Sequence, residues 1–191
     1  MNKEKMKREI DIHIQNFINL SKDETFIENF VKITELCING IHNRNTIFFA
    51  GNGGSSADAQ HAATELVVRF KKNRKAISSV ALGTNTAVAT AISNDFGYDY
   101  IFSREFESLA KEKDIVIGIS TSGNSQSIIN LLKKAKEYSA VTIGLTGKNG
   151  GEMKKYCDYI ICCPSEIVEQ IQEMHGFLIH LLCKSIEESI L

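Results

Sequence analysis

Five short apolar runs, separated by helix-like stretches, constrain the fold of this chain more than any other feature. They lie at residues 46–50, 76–82, 114–120, 140–147 and 158–163. Strands that are covered on both faces appear as continuous apolar runs, and strands that alternate with helices form parallel sheets. Because crossover connections are right-handed, the pattern predicts a doubly wound α/β fold with a parallel sheet of about five strands.

Two amphipathic helices are predicted ahead of the first strand. Apolar residues recur every three or four positions at residues 3–20 and again at 22–42, which is the period of a helix with one buried face. Between them, "SKDE" is typical of a capping box, with Ser21 as the N-cap of the second helix and Glu24 bonding back to it. The chain therefore begins with an N-terminal helix pair.

The C-terminal segment predicts one long helix that starts after Pro164 with Ser165 as its N-cap. Apolar residues surround much of this helix, so it needs cover on several sides. Together with the N-terminal helices, this predicts a homo-oligomer. We expect a single domain at 1–191, with a helical extension at 1–43 and the α/β core and C-terminal helix at 44–191.

Composition narrows the class of partner. The chain has 191 residues, 43% of them hydrophobic, and a net charge of −1, so it lacks the positive surplus with which proteins bind nucleic acid. Its first residues are charged where a signal peptide is apolar, and its apolar runs are too short to span a bilayer. We expect a cytoplasmic protein with neither a nucleic-acid nor a membrane partner. The five cysteines lack metal-site spacing and favour reduced, packed thiols.

Two junctions between a strand and a helix carry small and hydroxylated residues: "GNGGSS" at 51–56 and "STSGNS" at 120–125. Such clusters can be simple turns. A dinucleotide site is disfavoured because Gly51-x-Gly53-x-x ends on Ser56 and the next run, "AISSVALGTN", lacks the acidic residue that would hold a ribose hydroxyl. A Walker loop is excluded because G-K-[ST] is absent. Two such junctions in one sheet favour a compact monophosphate, bound by hydroxyls and backbone N–H groups.

Polar residues recur on the helix that follows the first junction. Asp58, His61, Glu65 and Arg69 are spaced by three and four positions, so they share one face. A solvated face with a Glu65–Arg69 pair is the ordinary interpretation. The position directly after the glycine-serine loop favours a site instead, and a histidine and a carboxylate at i,i+4 can share a divalent metal.

Polar residues also interrupt the apolar C-terminal helix, namely Gln172, His175 and His180. For His175 we expect the usual arrangement of a buried histidine that donates to a backbone carbonyl.

Four motifs together resemble the sugar isomerase (SIS) domain family, and within it the phosphoheptose isomerases. They are "GNGGSS", "NDFG" at 94–97, "ISTSGNS" and "IQEMH", and the similarity extends over residues 46–182. The resemblance implies an aldose–ketose isomerase that converts D-sedoheptulose 7-phosphate into D-glycero-D-manno-heptose 7-phosphate through an enediol. It also implies a place at the first step of ADP- or GDP-heptose synthesis, for lipopolysaccharide or capsule.

The resemblance also implies roles for individual residues. The acid–base pair corresponds to Glu65 and His180, and the ligands of one Zn²⁺ per subunit correspond to His61, Glu65, Gln172 and His180. Substrate contacts are implied for both junctions and three further segments: Asn52, Gly53, Gly54, Glu65, Asn94, Asp95, Ser120, Thr121, Ser122, Ser125 and Gln172.

The spacing of two implied ligands predicts how the site is assembled. Gln172 and His180 are eight residues apart, which is roughly 12 Å along a straight helix. Either the helix bends or two subunits contribute, and we favour a homotetramer with sites at subunit interfaces. The alternative function is a non-catalytic SIS module, either a sugar-phosphate sensor or a replication-initiator-associating adaptor. The presence of both Glu65 and His180 favours the enzyme.

Overall fold

The computed structural model describes residues 1–190 and contains one five-stranded sheet. All pairings are parallel, and the order is β2-β1-β3-β4-β5. The strands are β1 (Ile47–Gly51), β2 (Ser79–Ala81), β3 (Ile115–Ser120), β4 (Val141–Thr146) and β5 (Tyr159–Cys162). The predicted doubly wound α/β fold is confirmed, including the helix pair that precedes the first strand.

Seven α-helices lie within residues 1–190. They are α1 (Lys3–Lys22), α2 (Glu24–His42), α3 (Gly54–Val67), α4 (Thr86–Phe96), α5 (Ile101–Leu109), α6 (Gln126–Glu137) and α7 (Val168–Ser189), and short 3₁₀ helices occur at Tyr98–Tyr100 and Glu152–Tyr156. None of these helices combines the length and the apolar character needed to cross a bilayer.

The strands contribute side chains to two apolar cores, one on each face of the sheet. Ile47 and Phe49 of β1 pack with α2, α3 and α7, whereas Phe48 and Ala50 pack with α5 and α6. Alternate residues of a strand point to opposite faces. Because both faces are covered, every residue of β1 and β3 is buried, and this explains why their sequences are apolar without alternation.

Two predicted helix caps are wrong. Helix α1 continues to Lys22, and Asp23 caps α2 by accepting a hydrogen bond of 2.9 Å from the backbone N–H of Phe26. Ser21 instead donates to a carbonyl within α1. Helix α7 begins at Val168, so Ser165 lies ahead of it, where its hydroxyl accepts from the N–H of Ile167 at 3.1 Å.

Helix α1 contacts α7 but leaves part of its apolar surface open. The rings of Phe17 and Phe177 meet edge to face at 5.2 Å, and the Nδ2 of Asn16 donates to Gln170 at 2.9 Å. Three apolar side chains of α1 remain in contact with solvent: Met6 is 57% exposed, Ile10 is 50% exposed and Ile14 is 51% exposed. They follow one another at four-residue intervals and form an apolar stripe.

Candidate active site

The strand order places a ligand crevice between β1 and β3. After β1 the chain forms β2 on one side, and it then returns to form β3 on the other side of β1. Ligands of open α/β sheets bind beyond the carboxyl ends of strands at such a switch point. The two glycine-serine junctions follow these two strands, and the Nδ2 of Asn52 donates to the Oγ of Ser127 across them at 2.9 Å.

The first junction needs glycine for three separate reasons. Gly53 has φ +57°, a conformation that favours glycine. A Cβ on Gly51 would lie 2.3 Å from the carbonyl oxygen of Ser55, and a Cβ on Gly54 would lie 1.8 Å from the Nε2 of Gln172. Helix α3 starts here without a side-chain cap, so the positive end of its dipole faces the junction, and this end of a helix favours an anion.

The second junction combines hydroxyls with the start of α6. The Oγ atoms of Ser120 and Ser125 are 3.1 Å apart, and the Oγ of Ser122 accepts from the N–H of Asn124 at 3.1 Å. Helix α6 follows Ser125 without a side-chain cap, which leaves its positive end open. A cavity beside Thr121 and Ser122 is also lined by Lys148, a cation that the sequence analysis did not single out.

A three-residue cluster lies where α3 packs against α7. The Nε2 of His61 is 2.9 Å from the Nε2 of His180 and 3.2 Å from the Oε1 of Glu65. The two imidazole rings are nearly perpendicular, with centroids 4.8 Å apart. The side chain of His61 is 50% exposed and that of Glu65 is 22% exposed, so the cluster is open on one side. We call this group the His-Glu-His cluster.

The geometry of the His-Glu-His cluster fits a divalent metal. Its ligand atoms all lie within 4.8 Å of one another. Nitrogen ligands at zinc distances in a tetrahedron are separated by about 3.3 Å, close to the two contacts of His61. Two imidazole nitrogens at 2.9 Å otherwise share a single proton, because one must donate and the other must accept. Within residues 1–190 this is the one such group of histidine, cysteine and acidic side chains.

The amide of Gln172 is held elsewhere in this chain. It lies against Gly54 and beside the carboxyl of Asp58. Burial raises the pKa of Asp58, although the neighbouring amide of Gln172 and the charge of His61 oppose that rise. Gln172 therefore borders the first junction, and its implied place among the metal ligands stays a prediction.

The "NDFG" segment reaches the crevice through a residue that the sequence analysis missed. Asn94 and Asp95 are exposed near the end of α4 and bond each other at 2.8 Å. The hydroxyl of Tyr98 then donates to the Oδ1 of Asn52 at 2.7 Å. Together with Ser127, it fixes the amide of Asn52 from both ends. No motif signals this role, because the contact spans 46 residues.

Arg69 does not share the polar face of α3, contrary to the prediction. The helix ends at Val67, and the guanidinium of Arg69 donates to the Oδ1 of Asn73 at 2.8 Å. Among the ion pairs of residues 1–190, Glu65 pairs with His61. The ordinary interpretation of a solvated Glu65–Arg69 pair is therefore excluded for this chain.

Two buried groups near the site are structural. The Nε2 of His175 lies 3.3 Å from the carbonyl of Thr146, as expected, and burial lowers its pKa to about 4. Burial, with a smaller contribution from the charge of Glu65, raises the pKa of the Cys183 thiol to about 12. Both side chains are therefore neutral at pH 7, and the five cysteines are free thiols.

Comparison with known proteins agrees with this architecture. The family model described as "SIS domain" matches residues 18–147, which defines the class as SIS-domain proteins. Phosphoheptose isomerase 1 of Campylobacter jejuni is 49% identical over 83% of this chain and 85% of its own length, and the phosphoheptose isomerase of Clostridium acetobutylicum is 43% identical over 97% and 96%. The structure of phosphoheptose isomerase GmhA from Neisseria gonorrhoeae superposes with a TM-score of 0.90 at 35% identity, covering 97% of this chain and 98% of that one. The chain belongs to the phosphoheptose isomerase family.

Proposed function

We propose that this protein isomerises D-sedoheptulose 7-phosphate to D-glycero-D-manno-heptose 7-phosphate. The observation that carries the proposal is the meeting of Glu65 and His180, which are far apart in sequence, beside the crevice of a phosphoheptose isomerase fold. The product, a heptose 7-phosphate, would be a precursor for heptose synthesis. A non-catalytic module is not favoured, because similar curated proteins are named isomerases and both members of the acid–base pair are present.

The second junction suits the phosphate of the substrate. Its hydroxyls come from Ser120, Thr121, Ser122 and Ser125, and α6 begins directly behind them. Helix N-termini and hydroxyls stabilise phosphate without a lysine. The sugar then extends towards the first junction, where Asn52, Gly53, Gly54 and Gln172 would contact it, with Asn94 and Asp95 at the rim.

The reaction moves one proton between adjacent carbons. Glu65 takes the proton from C1 of the ketose, which gives an enediol, and returns it to C2. His180 takes the proton from the oxygen on C1 and donates one to the oxygen on C2, so that the carbonyl moves from C2 to C1. The imidazole and the carboxylate belong to one cluster, so each can reach one of two neighbouring atoms of the sugar.

Zinc is the metal we propose for the His-Glu-His cluster, because two imidazoles and a carboxylate are a donor set that zinc favours. A bound zinc ion would polarise the sugar carbonyl as a Lewis acid. His61, Glu65 and His180 would hold it from this chain, and Gln172 is the proposed fourth ligand. The second carboxylate oxygen of Glu65 would remain free to accept the proton from C1 of the sugar.

A homotetramer with sites at subunit interfaces accounts for the open surfaces. The apolar stripe of α1 and the exposed side of the His-Glu-His cluster both lack cover in a single chain. Apolar side chains with this regular exposure are typical of an interface. Light scattering of the purified protein should give four times the mass of the 21.2 kDa chain. A monomeric mass at micromolar concentration would contradict the proposal.

The cytoplasmic location also stays a prediction.

Substrate preference tests the proposed function directly. We expect sedoheptulose 7-phosphate to be consumed efficiently, and fructose 6-phosphate and ribulose 5-phosphate to react poorly in the same assay. The shorter sugars would keep the phosphate contact but misplace C1 and C2 relative to Glu65, and misplacement of the reacting atoms costs rate. Equal consumption of all three would indicate a different sugar-phosphate isomerase.

A further inference from the structure

A buried ion pair connects the two segments that carry Glu65 and His180. The Nε of Arg74 lies 3.2 Å from the Oε1 of Glu187, and each side chain is 3% exposed. Burying two charges is costly unless both are well bonded. Neither residue belongs to the acid–base pair, the metal ligands or the substrate contacts described above. The other bonds of the pair show what it holds.

Arg74 closes the end of α3. Its Nη2 donates to the carbonyl of Glu65 at 2.7 Å, and its Nη1 donates to the carbonyl of Leu66 at 2.7 Å. The last carbonyls of a helix lack N–H partners within the helix, and the guanidinium of Arg74 supplies the missing donors. Glu65 lies in this last turn, so the same contact fixes the backbone from which its carboxylate extends.

Glu187 fixes the chain that follows α3. Its two carboxylate oxygens accept hydrogen bonds from the N–H groups of Phe70 at 2.9 Å, Lys71 at 2.7 Å and Lys72 at 3.0 Å. Burial alone would raise the pKa of Glu187, but these N–H groups and Arg74 outweigh burial and lower it. The carboxylate therefore stays ionised. The ring of Phe70, positioned by this contact, lies 5.8 Å from the ring of His180.

We propose that Arg74 and Glu187 are positioning residues that set the distance between Glu65 and His180. Glu187 lies seven residues after His180 on α7, about two turns along the same face. The ion pair thus links the turn of Glu65 to the helix of His180, and Phe70 limits the orientation of the imidazole. This inference rests on the proposed function, in which both residues act on one substrate.

Arg74→Lys is the sharpest test. Lysine keeps the positive charge beside Glu187, but one ammonium cannot reproduce the planar fork that reaches the carbonyls of Glu65 and Leu66 together. We expect kcat to fall at least about tenfold with little change in KM, and the affinity of the metal-free protein for Co²⁺ to fall by about 10- to 100-fold. Both are measured at a temperature where circular dichroism shows a folded protein.

Two further variants separate positioning from stability. Glu187→Gln keeps the shape but replaces one of the two oxygens that accept the three N–H groups with an NH₂ donor, and it should reproduce the losses of Arg74→Lys. Ile186→Ala truncates the fully buried neighbour without touching the ion pair. It should lower the Tm while keeping kcat and Co²⁺ affinity within about twofold, since core truncation costs stability.

Unchanged kcat and Co²⁺ affinity in folded Arg74→Lys and Glu187→Gln would overturn the proposal and leave a purely structural ion pair. Failure of the proposed function gives a different result: the unmodified protein would not isomerise sedoheptulose 7-phosphate. The Co²⁺ titration would still report whether the ion pair sets the geometry of the His-Glu-His cluster, because it needs no turnover.

Discussion

Glu65→Gln is expected to lower the kcat for sedoheptulose 7-phosphate by about 10²- to 10⁴-fold, the usual contribution of a general base. The amide has the shape of the carboxylate but cannot accept a proton from carbon. Steady-state kinetics would measure the loss, and calorimetry should still detect binding of the sugar phosphate, because the hydroxyl-rich second junction is unchanged. The exposed Glu137, at the end of α6 and 62% exposed in its side chain, provides the control variant Glu137→Gln, which should keep the normal rate.

Near-normal turnover by Glu65→Gln would remove Glu65 from the role of base. Loss of both sugar-phosphate binding and turnover would instead indicate that the carboxylate mainly organises the site. The two readouts therefore separate proton transfer from substrate binding, and kinetics alone cannot do this.

The sheet was predictable because its local pattern and its long-range environment agree. Strands β1, β3, β4 and β5 lie within one residue of their predicted bounds, since strands covered on both faces are apolar throughout. The predicted strand at 76–82 shrinks to Ser79–Ala81 at the edge of the sheet. There the N–H of Ile77 donates to the carbonyl of Leu66 at the end of α3, so the chain pairs with a helix end before it joins β1.

The end of α3 could not be predicted, because distant residues determine it. No glycine or proline directly follows Val67, and "VVRF" at 67–70 extends the apolar pattern of the helix. The helix stops where the guanidinium of Arg74 donates to its last carbonyls. The N–H groups that follow donate to the carboxylate of Glu187, which lies 117 residues after Phe70. The same contacts move Arg69 away from the polar face, which explains why its predicted position was wrong.

The candidate site was only partly visible in the sequence. Helical spacing placed His61 and Glu65 on one face, and the structure keeps them 3.2 Å apart. No local pattern links them to His180, which is 119 residues from His61, so that link depended on the family resemblance. Contacts of this kind form only when α3 packs against α7.

Loss of the metal should have the second large effect. We expect dialysis against a strong chelator to lower kcat by at least about 10²-fold, because the polarisation of a carbonyl by a metal is worth several kcal/mol. Zn²⁺ added back should restore the rate. His61→Asn should reproduce the loss, since the shorter side chain cannot keep a donor atom near both Glu65 and His180.

His42→Asn provides the matched control for His61→Asn. His42 is exposed at the end of α2 and does not belong to the His-Glu-His cluster, so its replacement should leave both the metal content and kcat unchanged. Elemental analysis should find one zinc ion per chain in the unmodified protein and in His42→Asn, and much less in His61→Asn. Full activity of metal-free protein would exclude zinc from the reaction. The 2.9 Å contact between His61 and His180 would then be a shared proton, with His180 left to exchange protons with the sugar oxygens alone.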